Sequence, residues 1–198
     1  MNGLKILIAC EFSGTVRDAF IRKGHDAMSC DLLPTDVPGP HYQGNVMDII
    51  NNGWDMMVAH PPCTYLSVSG MHWTTRGLRD PKLTEDALEF VQALMNASIK
   101  RIAIENPVSI ISSRVRKPDQ IVQPWWFGDD ASKKTCLWLK NLPLLTPTNK
   151  LDGDNKTRRG NQTTSGQNKL PPSKDRWKIR SKTYQGVADA MATQWGVL

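Results

Sequence analysis

Short apolar runs alternate with segments of helical periodicity along most of the chain. The runs LKILIAC, HDAMSCDLL, DMMVAH and RIAIENP are predicted to be buried strands. After the first run, TVRDAFIRKG places Val16, Phe20 and Ile21 on one side of a helix that ends at Gly24. A strand, a helix and a second strand within about thirty residues form a right-handed crossover between parallel strands. The pattern therefore predicts a doubly wound, three-layer α/β domain with a mostly parallel sheet.

The second half of the chain continues this pattern and then changes character. LTEDALEFVQALMNAS is predicted to be a helix, TCLWL and LPLLTP two late strands, and SKTYQGVADAMATQW a final helix. Residues 150–174 contain few apolar side chains and are rich in Gly, Asn, Thr and Lys. A segment of this length and composition is predicted to be a functional or disordered loop. The length of 198 residues predicts one domain spanning residues 1–198.

The composition argues against several classes of protein. No apolar run approaches the roughly 18–20 residues that span a bilayer, and the first ten residues are too few for a signal peptide. The cysteines at positions 10, 30, 63 and 136 form no Cys-x-x-Cys pair, which argues against a zinc site or a disulfide framework. The histidines show no metal-ligand spacing. We therefore expect a soluble cytoplasmic protein with reduced thiols, without a metal and without membrane contact.

The net charge of +6 is unevenly distributed. Residues 1–148 contain 15 basic and 15 acidic side chains, whereas residues 149–198 contain 10 basic and 4 acidic side chains. The whole excess thus lies in the last 50 positions. A basic surface of this kind favours contact with the phosphates of a nucleic acid, and a solvated basic segment gives the same count.

Polar residues follow the predicted strands where ligands bind in an open parallel sheet, beyond the carboxyl ends. They are Glu11-Phe12-Ser13-Gly14, Asp31, His60-Pro61-Pro62-Cys63 and Glu105-Asn106-Pro107. Each also has a structural explanation, such as a turn glycine, a capping acid or a proline that ends a strand. His60 is interpreted in this way, as a polar residue at a strand end.

Cys63 and Glu105 together suggest covalent catalysis. A thiol at one strand end and a carboxylic acid at another supply a nucleophile and an acid to one pocket, which suits attack on an electron-poor ring. Cys63 is the cysteine that follows a stiff Pro-Pro lead-in at a strand exit. Cys10 also ends a strand, but we expect Glu11 to raise its pKa and make it less reactive.

These strand ends resemble those of the cytosine-5 DNA methyltransferases, which use S-adenosylmethionine. That family's nucleophilic Pro-Cys is similar to Pro62-Cys63, and its Glu-Asn-Val element is similar to Glu105-Asn106-Pro107. Further elements match in the family order: the Phe-x-Gly cofactor loop at Phe12-Ser13-Gly14, the ribose-binding acid at Asp31, the acid near the adenine at Asp48, and the Gly-x-Ala helix start at Gly186-Val187-Ala188. The matches extend over almost the whole chain.

The resemblance implies a three-layer, Rossmann-like methyltransferase fold and methyl transfer to C5 of cytosine in DNA. In the implied mechanism, the Cys63 thiolate adds to C6 of the pyrimidine while Glu105 donates a proton to N3. Loss of the C5 proton and elimination of the thiol then restore the ring. A target base in a duplex must leave the helix to reach these groups.

The resemblance also implies binding residues. S-adenosylmethionine is expected to contact Phe12, Ser13, Gly14, Asp31, Asp48 and Pro61. The nucleic acid is expected to contact Asn106, Lys133, Arg114, Arg116 and Trp177. Lys133 keeps the one positive charge of the family's Gln-x-Arg-x-Arg run, Arg114 or Arg116 substitutes for the others, and Trp177 is placed to stack on a base.

The chain departs from the family pattern in ways that leave the substrate open. Val16 stands where the cofactor loop usually has a second glycine, and Pro107 replaces the usual valine. Residues 150–174 replace a sizeable target-recognition region. The same chemistry on RNA or on a free pyrimidine nucleotide is therefore an alternative. Another is a catalytically silent regulator that binds the cofactor or nucleic acid, although such a protein has no chemical need for both Cys63 and Glu105.

Overall fold

A seven-stranded sheet forms the centre of the protein in a computed structural model that describes residues 3–197. Its strands are β1 (Lys5–Ala9), β2 (Asp26–Asp31), β3 (His41–Gln43), β4 (Met56–Ala59), β5 (Arg101–Pro107), β6 (Gln120–Val122) and β7 (Thr135–Lys140). They lie in the order β3-β2-β1-β4-β5-β7-β6. β7 runs antiparallel to β5 and β6, and the other neighbours are parallel. This is the mostly parallel sheet that the sequence predicted.

Helices cover both faces of the sheet, which confirms the three-layer α/β prediction. They are α1 (Thr15–Arg22), α2 (Val68–Thr75), α3 (Lys82–Met95), α4 (Ile111–Arg114), α5 (Arg176–Ser181) and α6 (Gln185–Trp195), with short 3-10 helices at Val46–Asp48 and Pro124–Trp126. On one face, Phe20 of α1 and Trp195 of α6 belong to the same buried cluster as Ile6 of β1. On the other face, Leu88 of α3 and Ile111 of α4 belong to a second buried cluster. None of the helices between residues 3 and 197 has the length and apolar character needed to cross a membrane.

The apolar runs identified most of the central elements. β1, β2, β4, β5 and β7 lie at predicted strands, and α1, α3 and α6 lie at predicted helices. The prediction of a strand at LPLLTP was wrong, because Pro143 and Pro147 cannot donate ladder hydrogen bonds. Leu145 in this segment is instead fixed by the side chain of Gln120, which accepts from its N–H (2.8 Å) and donates to its carbonyl (2.7 Å).

Residues 150–174 fold as a series of turns. The segment contains one isolated bridge, between Gln162 and Asn168, and no regular helix or strand. It is nevertheless attached to the domain, because Leu151 N–H donates to the Trp125 carbonyl (2.9 Å) and Asn161 contacts Ser132. The loop is thus packed onto the segment that connects β6 to β7.

A buried arginine fixes the loop that follows β2. The side chain of Arg17 in α1 has no exposed surface, and it donates to the carbonyls of Val37 (3.4 Å) and Pro38 (3.1 Å). Its Nε also donates to Asp18 at 2.7 Å. A Cβ atom added to Gly39 would lie 2.5 Å from the guanidinium carbon, so this close approach requires glycine. Arg17 therefore holds residues 35–39 against the start of α1.

Replacement of this arginine is expected to cost substantial stability. Arg17→Met keeps the length of the side chain but leaves two carbonyls without their donor, so the free energy of unfolding should fall by about 2–4 kcal/mol. The control is Arg22→Met on the same helix, whose pair with Asp189 is about half exposed. That change should cost at most about 1 kcal/mol. Urea denaturation followed by circular dichroism measures both, and equal losses would contradict this assignment for Arg17.

Candidate active site

The parallel register of the central strands brings the predicted polar residues to one edge of the sheet. Ala9 of β1 aligns with Ala59 of β4, and Ala59 aligns with Ile104 of β5. The next residue of each strand therefore lies at the same level, and His60 N–H donates to the Ala9 carbonyl at 2.9 Å. His60 and Glu105 become neighbours at this edge.

The turn after β1 is built around a buried carboxylate. Glu11 accepts hydrogen bonds from the N–H groups of Val16 (2.7 Å) and Arg17 (3.2 Å), and from the hydroxyl of Ser13 (3.1 Å). Its negative charge thus lies at the positive end of α1 and satisfies two free helix donors. The residue at the usual second glycine position, Val16, contributes one of these donors.

The predicted cofactor loop is only partly open. Phe12 and Ser13 are buried, and Gly14 has the left-handed φ of 75° that favours glycine. A Cβ atom on Gly14 would lie 2.6 Å from both Arg17 Nη2 and Val37 Cγ2. Because Gly14 has no side chain, the side chains of Arg17 and Val37 can occupy the space beside it.

The thiol of Cys10 is unsuited to nucleophilic attack, although not for the reason that the sequence suggested. Burial raises its pKa well above the usual range, and the charges of Asp31 and Cys30 act in the same direction. Glu11, which was expected to have this effect, is turned into the helix end instead. Cys10 is thus an inert thiol beside the candidate site.

Asp31 and Asp48 lie on the side of the sheet edge nearest β2. Asp31 is half-buried at the end of β2, where one oxygen accepts the Leu33 N–H at 2.9 Å. Asp48 lies in the first 3-10 helix and accepts the Tyr42 hydroxyl at 3.2 Å. Burial raises the pKa of the Cys30 thiol to about 11, and both carboxylates act in the same direction. The two predicted cofactor acids therefore lie near one another.

The Pro-Pro-Cys segment is fixed by an amide from the next strand. Asn106 Nδ2 donates to the carbonyl of buried Pro61 at 2.7 Å. Beyond the prolines, the Cys63 carbonyl accepts the N–H groups of Leu66 (3.1 Å) and Ser67 (2.9 Å). Cys63 therefore sits at the start of a hydrogen-bonded turn and remains accessible to solvent.

The environment of Cys63 contains opposing charges. Partial burial raises the pKa of the thiol, and the negative charge of Glu105 acts in the same direction. The positive charges of Lys133 and Arg180 lower it. The pKa of Cys63 is raised overall, and Lys133 is the main side-chain cation that opposes this rise.

Glu105 is a buried carboxylate that remains ionised because it has partners. Burial acts to raise its pKa, but the charge of Lys133 and hydrogen bonds from His60 and Thr135 outweigh that effect and hold the pKa below its usual range. Nδ1 of His60 lies 2.9 Å from Oε2 of Glu105, and both side chains are almost fully buried. Lys133, Glu105 and Thr135 also line a small cavity with Pro124, Thr183, Tyr184 and Val187.

The partnership of His60 with Glu105 was missed from the sequence. His60 was interpreted as a polar strand-end residue, and its contact with a catalytic candidate was not anticipated. His60 and Glu105 lie side by side because each follows an aligned residue of the pair β4 and β5. That alignment depends on the strand register, which no local pattern in the sequence indicates. Nε2 of His60 is buried and has no hydrogen-bond partner within the described part of the chain.

Three of the predicted substrate residues lie away from the thiol. Arg114 pairs with Glu85 of α3 at 2.9 Å, and Arg116 pairs with Asp119 at the same distance. The ring of Trp177 packs edge-on against Phe12, with centroids 6.2 Å apart. The two arginines therefore stand outside the cluster, and Trp177 lies beside the predicted cofactor loop.

Helix α5 carries Trp177, and ion pairs join this helix and the residue after it to Asp36, in the loop that follows β2. Lys178 and Lys182 approach the two carboxylate oxygens of Asp36 at 2.8 and 2.7 Å. The hydrogen bond from Lys178, supported by Lys182, holds the pKa of Asp36 below its usual range. Asp36 N–H in turn donates to the Phe12 carbonyl at 2.8 Å. The basic segment near the end of the chain thus closes over the turn after β1.

Comparisons with known proteins identify the fold. No family model matches the chain, and no curated protein sequence matches it. Among solved structures it is similar to the Entamoeba histolytica methyltransferase EhMeth, with a TM-score of 0.51 and 15% identity. The match covers 78% of this chain and 61% of that protein, so this chain spans less than two thirds of its length. The chain therefore has a methyltransferase fold.

The opposing charges around Cys63 predict opposite effects of two substitutions. Lys133→Gln removes a cation that stabilises the thiolate, so alkylation of Cys63 by iodoacetamide at neutral pH should slow a few-fold. Glu105→Gln removes an opposing anion and should accelerate the same reaction. The matched control is Lys134→Gln, which removes an exposed neighbouring charge. Mass spectrometry of the Cys63 peptide measures the rates, and identical rates in all three variants would contradict this account.

Proposed function

We propose that the protein transfers the methyl group of S-adenosylmethionine to C5 of cytosine in DNA. The observation that carries the proposal is the placement of Cys63 and Glu105 beyond the paired strands β4 and β5, where the charge of Lys133 acts on both, in a methyltransferase fold. An accessible thiol and a buried carboxylate at adjacent strand ends suit covalent attack on a pyrimidine ring. The positive charge of Lys133 acts to lower the pKa of both Cys63 and Glu105, and so favours the charged form of each.

The cofactor is assigned to the crevice beyond β1 and β2. A half-buried carboxylate at the end of a second strand is where a ribose diol is commonly held, and Asp31 occupies this position. The carboxylates of Asp31 and Asp48 would accept hydrogen bonds from the hydroxyl and amino groups of S-adenosylmethionine, and Phe12, Ser13 and Pro61 are assigned to the same site. The cofactor would supply an electrophilic methyl group. Gly14 would act indirectly, because Arg17 and Val37 occupy the space beside it.

The first step in this proposal is addition of Cys63 to the ring. The Cys63 thiol releases its proton to solvent, Sγ forms a bond to C6, the electrons of the C5–C6 double bond move toward C5 and the ring amide system, and N3 takes up a proton. Because the pKa of Glu105 is low, its carboxylate does not hold that proton in the free protein. The proton that N3 takes up is therefore assigned to solvent, and the Glu105 carboxylate, held by His60 Nδ1 at 2.9 Å, would accept the hydrogen bond from the protonated N3.

The remaining steps restore the aromatic ring. C5, now electron-rich, accepts the methyl group and then releases its proton to water. The C5–C6 double bond reforms as the bond from C6 to Sγ breaks, and N3 returns its proton. Cys63 leaves as the thiolate, which the charge of Lys133 favours. The thiolate then takes a proton back from solvent, so the protonation of the protein is unchanged over one cycle.

A nucleic-acid substrate is supported by charge. Residues 149–198, which include the loop of residues 150–174 and helix α5, carry 10 basic and 4 acidic side chains. Phosphates are the ligands that such a surface favours. Asn106, which was predicted to contact the substrate, is buried and donates to the Pro61 carbonyl, and Trp177 packs on Phe12.

The proposal predicts a methylated product that depends on Cys63. The protein is incubated with methyl-labelled S-adenosylmethionine and, separately, with duplex DNA, single-stranded DNA, RNA and dCMP. Label should appear on cytosine C5 in DNA, disappear in Cys63→Ala, and fall about 10²–10⁴-fold in Glu105→Gln. Cys10→Ala is the control, since it removes a thiol from the neighbouring strand end.

The same experiment separates the alternatives. Label confined to RNA or dCMP would keep the chemistry and replace the substrate. Label that persists in Cys63→Ala would exclude the covalent route, and cofactor binding without transfer to any acceptor would favour a silent regulator. A 5-fluorocytosine oligonucleotide should trap the Cys63 adduct, because fluorine cannot leave C5 as a proton does.

The cofactor assignment predicts a selective loss of binding. Asp31→Asn should weaken binding of S-adenosylmethionine by about 10–100-fold, the value of a hydrogen bond to a charged group. Asp26→Asn is a matched control, because Asp26 lies at the opposite end of the same strand. Isothermal titration calorimetry measures both affinities. Equal affinities in the two variants would place the cofactor elsewhere.

A further inference from the structure

Arg159 is a buried cation within an otherwise polar, exposed loop. Arg159 is 6% exposed, and its Nε and Nη2 atoms have no hydrogen-bond partner in the described residues. The preceding residue, Arg158, is exposed. The two consecutive arginines therefore have opposite environments, and of the two it is Arg159 whose donors are both buried and unpartnered.

The guanidinium of Arg159 lies over a buried indole. Its central carbon is 4.5 Å from the centroid of Trp125, and Lys150 Nζ is 5.5 Å from the same centroid. Backbone hydrogen bonds from Asn149 to Trp126 (3.2 Å) and from Leu151 to Trp125 (2.9 Å) hold Lys150 there. Two cations thus converge on one aromatic side chain.

No carboxylate balances the charge of Arg159. Across residues 3–197, the ion pairs within 4.0 Å include none to this guanidinium. A buried cation without an anion is costly, and attraction to the indole offsets only part of that cost. Unpaired donors of a planar guanidinium match the oxygens of a phosphate, which can accept two of them at once.

We infer that Arg159, together with Lys150, binds a phosphate group of the nucleic-acid backbone. The inference rests on the proposed function for the identity of the ligand, and on the unpaired donors for the existence of the site. Lys150 adds a second positive charge on a flexible stem. Trp125 keeps the guanidinium in place before the ligand arrives.

The position of Arg159 connects this phosphate site to the candidate active site. Two residues further on, Asn161 Nδ2 donates to the carbonyl of Ser132 (3.0 Å) and to the hydroxyl of Tyr184 (3.2 Å). Tyr184 lines the small cavity that contains Glu105 and Lys133. A phosphate at Arg159 would therefore belong to a nucleotide close to the target base.

The first test measures the site without catalysis. Inorganic phosphate should raise the melting temperature of the wild-type protein relative to chloride at equal ionic strength. Arg158→Gln should keep this response and Arg159→Gln should lose it. Arg159→Lys retains the charge without the planar donors, and should keep only part of the response. It also preserves the test if Arg159→Gln fails to fold.

The second test uses a single-stranded oligodeoxynucleotide. Arg159→Gln should weaken its binding and reduce the slope of log affinity against log salt by about 0.7, the value for one phosphate contact on a single strand. Arg158→Gln should change the slope less. Fluorescence anisotropy over a series of salt concentrations measures both quantities.

Several outcomes would overturn the inference. Equal behaviour of Arg158→Gln and Arg159→Gln would remove the special role of the buried arginine. Loss of stability in Arg159→Gln, with no response of the wild type to phosphate, would mean that the guanidinium only packs on Trp125. A response to phosphate with unchanged oligonucleotide binding would exclude the backbone assignment. Conversely, binding that depends on Arg159 without any methyl transfer would support the site and contradict the proposed function.

Discussion

The candidate site depends on the parallel register of β1, β4 and β5. Because Ala9, Ala59 and Ile104 lie at one level, His60 and Glu105, which follow the last two, lie within hydrogen-bonding distance of each other. A shift of one residue in either pairing would send His60 and Glu105 to opposite faces of the sheet. The packing of the two cores on either side of the sheet is what prevents such a shift. The strand register therefore determines both the packing of the core and the geometry of the site.

Four buried charges are compensated in different ways in this protein. Glu11 is compensated by the N–H groups of a helix, and Arg17 by carbonyls and an adjacent acid. Glu105 has His60 and Lys133 as its partners. Arg159 has an aromatic ring and no anion. The first two arrangements are complete within the chain, whereas the last two leave room for chemistry or for a ligand.

The sequence predicted the parts of the fold that local pattern determines. Long apolar runs and helical spacing identified five strands and three helices, because burial sets those periods directly. The three-residue strands β3 and β6 were not predicted, since each is too short to show alternation. Motif order placed Cys63 and Glu105 at strand ends, which the register then brought to one edge. The His60 contact and the burial of Arg17 and Arg159 depend on residues distant in the chain, and no local pattern marks them.

The closure of α5 over the turn after β1 also concerns how the protein is made. Asp36 and Phe12 leave the ribosome well before their partners Lys178, Lys182 and Trp177, which follow more than 140 residues later. The neighbouring contact between α1 and α6 spans a similar separation. Until the segment around α5 has been synthesised, the nascent chain exposes an acidic, aromatic surface that its own basic segment will later cover. The assembly of the cofactor side is thus a late event in folding, and its long-range contacts make it a slow one.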